Sequence, residues 1–377
     1  MTTVASTEVQ LTVGVDTHAD VHVAAALDHL GRLLATQSVP TTPAGYRTLV
    51  AWAGSLGTVE RFGIEGTGSY GAGLTRWLRG RGFEVLEVER PKRQNRRRHG
   101  KSDAIDAEAA ARAVQAGTAT AQPKAGDGPI EMLRMLQAAR RSAIKARTQA
   151  VNQLHALVVT APDSLRTRLR GLSRPRLVAT AVAFRPRLPL TSPMAATQLA
   201  LKSLAVRHQQ LTAEVEALEA QLELLVAKAA PDLVAVKGIG TDIATTLLAT
   251  AGDNPDRLRC EGAFAHLCGV APIPASSGKT NRHRLNRGGD RDANRALYLL
   301  AVGRMGWDPA TKAYVERRTT EGLSKKEILR CLKRYIAREL YPLLAANPAL
   351  LTLRQNSPAA TPAGGQHSSV GDLAGGA

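Results

Sequence analysis

Apolar residues fall in short runs over the first ninety positions and in long helical stripes beyond them. Leu11–Asp16 and Val21–Leu27 read as strands joined by the polar turn Thr17–Asp20, and Leu33–Val39 as a third strand after the Asp28–Gly31 turn. Thr42 before Pro43 is an N-cap followed by proline at the first helical position, so Thr42–Ala53 reads as a helix. Phe62–Glu65 is a fourth strand, Gly71–Gly80 a helix, Phe83–Val88 a fifth strand and Ser102–Ala116 a helix with Ser102 as its cap. Three strands followed by alternating helices and strands predict a mixed-sheet α/β domain over 10–125.

The texture changes near Ile130. Ile130–Val159 lacks Pro and Gly and predicts one long helix, whereas Pro162, Pro175, Pro186, Pro189 and Pro193 interrupt the stretch that follows. Leu204, Leu211, Val215, Leu218, Leu222 and Leu225 then keep an a/d register, with His208 filling the one gap. That register argues for a long coiled-coil helical insertion over 126–230, paired antiparallel with Ile130–Val159 or extended by dimerisation. Residues 231–350 read as a small, mainly α C-terminal domain, and the Ser-, Pro-, Ala- and Gly-rich residues 354–377 as a disordered tail.

Charge changes the picture. Fifty Lys and Arg against 32 Asp and Glu give a net +18 over 377 residues, which implies a polyanionic partner. No run of about 18 apolar residues and no signal-peptide pattern occur, so the expectation is a cytoplasmic protein without a membrane partner. Cys260, Cys268 and Cys331 have no metal or disulfide spacing. Aromatic content of 3% leaves no clustered base-stacking surface.

The candidate chemistry begins with Asp16, Glu65, Asp103 and Asp106. Asp16 and Glu65 close apolar strands, and Asp103 and Asp106 share a face at the start of a helix. Carboxylates that converge repel one another unless a divalent cation neutralises them, and such ions serve phosphodiester chemistry. The competing reading is a set of surface ion pairs. Asp20 and Asp28, in turns, and Glu108, off the Asp103 face, are lesser candidates. Arg90, Lys92, Arg93, Arg96, Arg97, Arg98 and Lys101 form a basic run that would deliver a polyanion to the acids, or else a solvated loop. Val236-Lys237-Gly238-Ile239-Gly240 has the form of a phosphate-binding hairpin turn and equally of an ordinary helix–helix turn. Ser276 and Ser277 precede Gly278 and Lys279 and are followed by Arg282, Arg284, Arg287 and Arg291. A serine there could attack a phosphate, although composition alone makes the segment a basic surface turn. No Gly-x-x-x-x-Gly-Lys-Ser/Thr loop is present, so ATP is not implied.

The order of elements in the first domain is that of the ribonuclease-H-like nucleases. Val13–His18, Ile64–Tyr70 and Lys101–Ala107, followed by Val236–Ile243, Gly269–Lys279 and Gly288–Leu297, resemble the motifs of the IS110-type DEDD transposases, over about residues 11–345. The resemblance implies a RuvC-like domain, a coiled-coil insertion and a small helical serine domain. It makes Asp16, Glu65, Asp103 and Asp106 the Mg²⁺-holding tetrad and Ser277 the nucleophile, with Ser276 adjacent. It further implies an RNA-guided recombinase whose non-coding bridge RNA pairs with donor and target DNA. Cleavage would pass through a covalent phosphoserine, in dimers that pair into a tetramer. Within that picture Arg93, Arg96, Arg97, Arg98, Lys101, Lys279, Arg282, Arg284, Arg287 and Arg291 are expected to hold nucleic acid. A metal-dependent RuvC-like nuclease or Holliday-junction resolvase using the tetrad alone is the alternative.

Overall fold

The three leading apolar runs form the antiparallel strands β1 (Gln10–Thr17), β2 (Val21–Asp28) and β3 (Leu33–Pro40). The structure is a computed structural model that describes residues 9–89, 102–252, 258–278 and 283–347. The chain divides into two compact units that meet at Pro123 and Lys124.

In the first unit, helix α1 (Pro43–Leu56) starts where expected, with the Thr42 hydroxyl accepting from the Gly45 amide at 3.1 Å. It carries the chain across to β4 (Thr58–Glu65), which lies parallel to β1. Helix α2 (Ala72–Arg79) leads to β5 (Glu84–Val88), parallel to β4, and completes the order β3-β2-β1-β4-β5. This is a mixed α/β sheet, compatible with the RuvC-like arrangement. Strand β4 starts four residues before the expected Phe62, because its polar first half still pairs with β1 at Gln10 and Leu11.

Strand alternation sorts side chains to the two faces. Val13, Val15, Phe62 and Ile64 join a core with Tyr46, Leu49, Leu74 and Leu78 of α1 and α2. Gly14, Gly63, Asp16 and Glu65 therefore belong to the opposite face, where helix α3 (Asp103–Gln115) packs. Gly14 lets α3 approach very closely: a Cβ there would lie 2.1 Å from the Ala107 carbonyl oxygen. Ser102 caps α3, its hydroxyl accepting from the Ile105 amide at 3.3 Å.

Among its described residues, the second unit is helical apart from one short ladder. Helices α4 (Pro129–Thr160) and α7 (Pro193–Ala229) flank α5 (Asp163–Leu169) and α6 (Arg174–Val182). Ile130 and Leu133 share a core with Leu222 and Val226, whereas Val151, Leu154 and Val158 share one with Leu201 and Ala205. The long helices thus run antiparallel within one chain, and Arg140 of α4 meets Glu219 of α7 at 2.9 Å. Val215 and Leu222 of the expected a/d stripe are fully buried in this pairing.

The remaining elements are α8 (Pro231–Ala235), α9 (Thr241–Ala251), α10 (Glu261–Leu267), α11 (Arg291–Trp307), α12 (Pro309–Thr320) and α13 (Lys325–Ala345). Between α10 and α11, β6 (Ile273–Pro274) pairs antiparallel with β7 (His283–Arg284), a ladder too short to leave a periodic signal. The tail 354–377 lies outside the described residues.

Candidate metal and serine sites

Asp16 stands at the end of β1 and Glu65 at the end of the neighbouring parallel strand β4. The Thr17 hydroxyl donates to the Glu65 carbonyl oxygen at 2.8 Å, which ties the two strand ends together. Beyond Glu65 the chain turns at Gly66, whose φ of 69° is favoured by glycine, and Gly66 O accepts from the Ser69 and Gly71 amides. Asp16, Glu65 and Asp106 are buried, while the Asp103 side chain is about half exposed at the first turn of α3.

A residue that the sequence reading did not nominate completes the cluster. His18 Nε2 lies 3.2 Å from Asp16 Oδ2 and 3.3 Å from Asp103 Oδ1. One ligand atom from each of Asp16, His18 and Asp103 lies within 4.8 Å of the others, close enough that the three could share a cation. The signal was available: two residues beyond Asp16 on an extended chain, His18 shares its face. Burial raises the Asp16 carboxyl above its ordinary pKa; His18 opposes the rise, and the charges of Asp106 and Asp103 add to it. Asp106 is thus electrostatically part of the cluster. Glu65 joins it by face and strand end, but not among the three converging donors.

Two of the lesser candidates, Asp28 and Glu108, take structural roles. Asp28 accepts from the Leu30 and Arg32 amides and from Arg32 Nε at 2.6 Å, so it clamps the β2–β3 turn. Glu108 pairs with Arg112 one helical turn away. In the Val236–Gly240 turn, Ile239 is buried and Lys237 Nζ lies 4.4 Å from the Trp307 ring centroid.

Ser277 and Ser276 are exposed residues past β6 in the second unit. The segment that bears them is pinned at its base. The Asp290 amide donates to Leu267 O at 2.6 Å, and the Asn294 side-chain amide donates to Cys268 O and Gly269 O, each at 3.0 Å. A Cβ at Gly289 would lie 2.5 Å from the Gly269 nitrogen, so the two ends of the segment touch backbone to backbone. Arg284, Arg287 and Arg291 are exposed on or after β7. Arg93, Arg96, Arg97, Arg98, Lys101, Lys279 and Arg282 lie outside the described residues.

Two family models match the chain in this order. Residues 13–161, which hold all four carboxylates, match the IS110 DEDD model, described as a transposase. Residues 231–316, which hold Ser277, match the model of the transposase IS116/IS110/IS902 family. The chain belongs to the IS110 transposase family. Among curated relatives, the uncharacterized 43.6 kDa protein of insertion element IS110 from Streptomyces coelicolor is 32% identical over 145 residues, 38% of this chain and 35% of that protein. The uncharacterized 42 kDa protein of insertion element IS900 from Mycobacterium paratuberculosis is 27% identical over 113 residues, 30% of this chain and 28% of that protein. The matched stretches thus span about a third of these relatives' length. No helix among the described residues of this IS110-family chain is long and apolar enough to cross a membrane.

Proposed function

We propose that this IS110-family chain is the transposase of an insertion sequence, a recombinase that cuts and exchanges DNA strands through a covalent phosphoserine at Ser277. The observation that carries the reading is the convergence of Asp16, His18 and Asp103 at the strand ends, in the region matched by the transposase model. The donor set fits a divalent cation, since two carboxylates and an imidazole converge where burial already disfavours the Asp16 charge. In this reading Mg²⁺ would be held by the carboxylates Asp16, Asp103 and Asp106, with Glu65 supplied from the neighbouring strand end and His18 bonded to Asp16 beside them, and it would neutralise phosphate charge and polarise the scissile phosphodiester.

The chain's own residues do the rest. The Ser277 oxygen attacks phosphorus and loses its proton; a serine–phosphate bond forms as the bond to a deoxyribose oxygen breaks, and that oxygen takes up a proton. A free hydroxyl on another strand reverses the step and releases Ser277. The number of phosphoester bonds is conserved, so no nucleotide hydrolysis is needed. Arg284, Arg287 and Arg291, with Lys279 and Arg282, supply positive charge for the pentavalent intermediate and the strand. The net +18 and the scarcity of aromatics suit backbone gripping, with base pairing by a guide RNA reading donor and target sequence. Assembly as dimers that pair into a tetramer, in the cytoplasm, belongs to the same proposal.

The test is incubation of protein, RNA transcribed from the element's flank and DNA with Mg²⁺, followed by denaturing gels. A covalent protein–DNA adduct lost in Ser277→Ala and in EDTA but kept in Ser276→Ala is expected. Cleavage that survives Ser277→Ala yet needs Asp16 would instead assign a nuclease that uses the carboxylates alone.

A further inference from the structure

The helical unit contains a cavity of about 820 Å³, walled by α13, β7 and the segment that enters β6. Lys333 lines it although only 8% exposed. Its ammonium donates to Asn294 Oδ1 at 2.8 Å and, among the described residues, has no carboxylate within ion-pair distance. Burial pushes the Lys333 pKa down, and the charge of Arg330 adds to that. A buried ammonium with one neutral acceptor keeps unused donors and an uncompensated charge, an arrangement that costs stability unless an anion arrives.

The rest of the wall says which anion. Glu327, the cavity's acidic residue, is committed to Ser324, accepting from its amide at 3.0 Å and its hydroxyl at 2.6 Å. Arg330 and Arg284 are exposed cations on the same wall. Tyr335 presents a ring that is 46% exposed, braced edge-on by Tyr314 at 5.5 Å between centroids. One cavity thus offers a buried cation and a half-exposed aromatic side chain, with Arg338 5.3 Å from its ring centroid, a combination that matches a phosphate joined to a base, and the volume suits one such unit.

We propose that this cavity binds one unpaired nucleotide of a nucleic-acid strand, its phosphate on Lys333, Arg330 and Arg284 and its base against Tyr335. The inference rests on the recombinase reading, because the segment bearing Ser277 leaves the cavity wall at Pro272 and returns to it at His283. Strand capture here would hold substrate close to where the serine segment is anchored.

The test uses the full chain, a fluorescent oligothymidylate and the matching oligouridylate, with anisotropy as readout. Lys333→Met should weaken binding by about tenfold or more, the worth of one buried charged hydrogen bond, with Tm unchanged or raised. Tyr335→Ala should weaken oligonucleotide binding while leaving competition by inorganic phosphate unchanged. Tighter binding of the deoxy strand assigns the cavity to DNA; tighter binding of the ribo strand assigns it to the guide.

Cys331 lines the same cavity, so its alkylation by N-ethylmaleimide should slow when oligonucleotide is present, relative to the exposed Cys260. Wild-type affinity in both variants, a Lys333→Met chain that unfolds, or Cys331 reacting equally with and without oligonucleotide overturns the proposal. Adduct formation at Ser277, measured in the same preparations, reports on the recombinase reading separately. Adduct without Cys331 protection sinks the cavity alone, and protection without adduct sinks the recombinase alone.

Discussion

Gly14 sets how near α3 comes to the sheet, and replacing it tests whether that approach assembles the acidic cluster. A Cβ at this position would lie 2.1 Å from Ala107 O and 2.3 Å from Ala111 N. Ordinary contact starts at 3.4 Å, so Gly14→Ala must part strand and helix by about 1.3 Å (3.4 − 2.1). Both obstructing atoms are backbone, and no rotamer change can absorb the strain. Overpacking of this kind costs about 1–3 kcal/mol. Asp103 and Asp106 ride on the first turns of the displaced helix, while Asp16 lies two residues from the substitution. A misplacement of about 1 Å in catalytic geometry lowers rate on the order of 100-fold.

Gly63→Ala is the graded comparison. Its Cβ would meet Ala110 O at 2.9 Å, asking the backbone for about 0.5 Å (3.4 − 2.9), and the Val114 methyl at 2.5 Å, a side chain that can turn. Thermal melting by circular dichroism and Mn²⁺ titration followed by electron paramagnetic resonance should both rank wild type, Gly63→Ala, Gly14→Ala, from most stable and tightest to least. Wild-type Mn²⁺ affinity in a Gly14→Ala chain of lowered Tm would refute the link between helix approach and the site. An unchanged Tm would refute the close packing itself.

Two further outcomes are expected. His22 is fully buried against Tyr46, its ring nitrogens without hydrogen-bond partners among the described residues, and burial holds its pKa down at about 4. The unfolded chain, near the ordinary 6.5, then binds a proton that the folded chain refuses, so stability falls as pH drops through that window. From pH 7 to 5 this is worth up to about 2 kcal/mol. His22→Phe keeps the stacking and removes the titration; urea midpoints that fall equally in both proteins would contradict the account. Replacing Arg96, Arg97 and Arg98 by Gln should flatten the slope of log affinity for duplex DNA against log salt by about 2.7, at about 0.9 per lost phosphate contact. An unchanged slope would remove the basic run from the DNA path.

What could be read from the chain followed from local chemistry. The five strands, the caps Thr42 and Ser102 and the long helices flanking the proline-rich stretch all rest on short-range patterns, and they formed. The strand-end positions of Asp16 and Glu65 were legible because a carboxylate closing an apolar strand interrupts the run of hydrophobic residues. The fate of Asp28 was not legible. An acid opening a turn looks alike whether it binds a cation or clamps its own backbone, and only the Leu30 and Arg32 amides decide.

His18 and Lys333 show where local reading stops and what replaces it. His18 reaches two carboxylates only because α3 begins beside β1, and that placement depends on a glycine four residues upstream and on a helix about ninety residues downstream. Lys333 shares a face with Leu329, Ile336 and Leu340 on α13, a stripe whose period predicts an apolar residue at its position. A lysine there is a conflict between pattern and side chain. Such conflicts persist where function outweighs stability. The same logic nominates Asp16 and Glu65, acids closing apolar strands. Applied to helices, it singles out Lys333 among the described Lys and Arg residues, most of which a solvated surface explains.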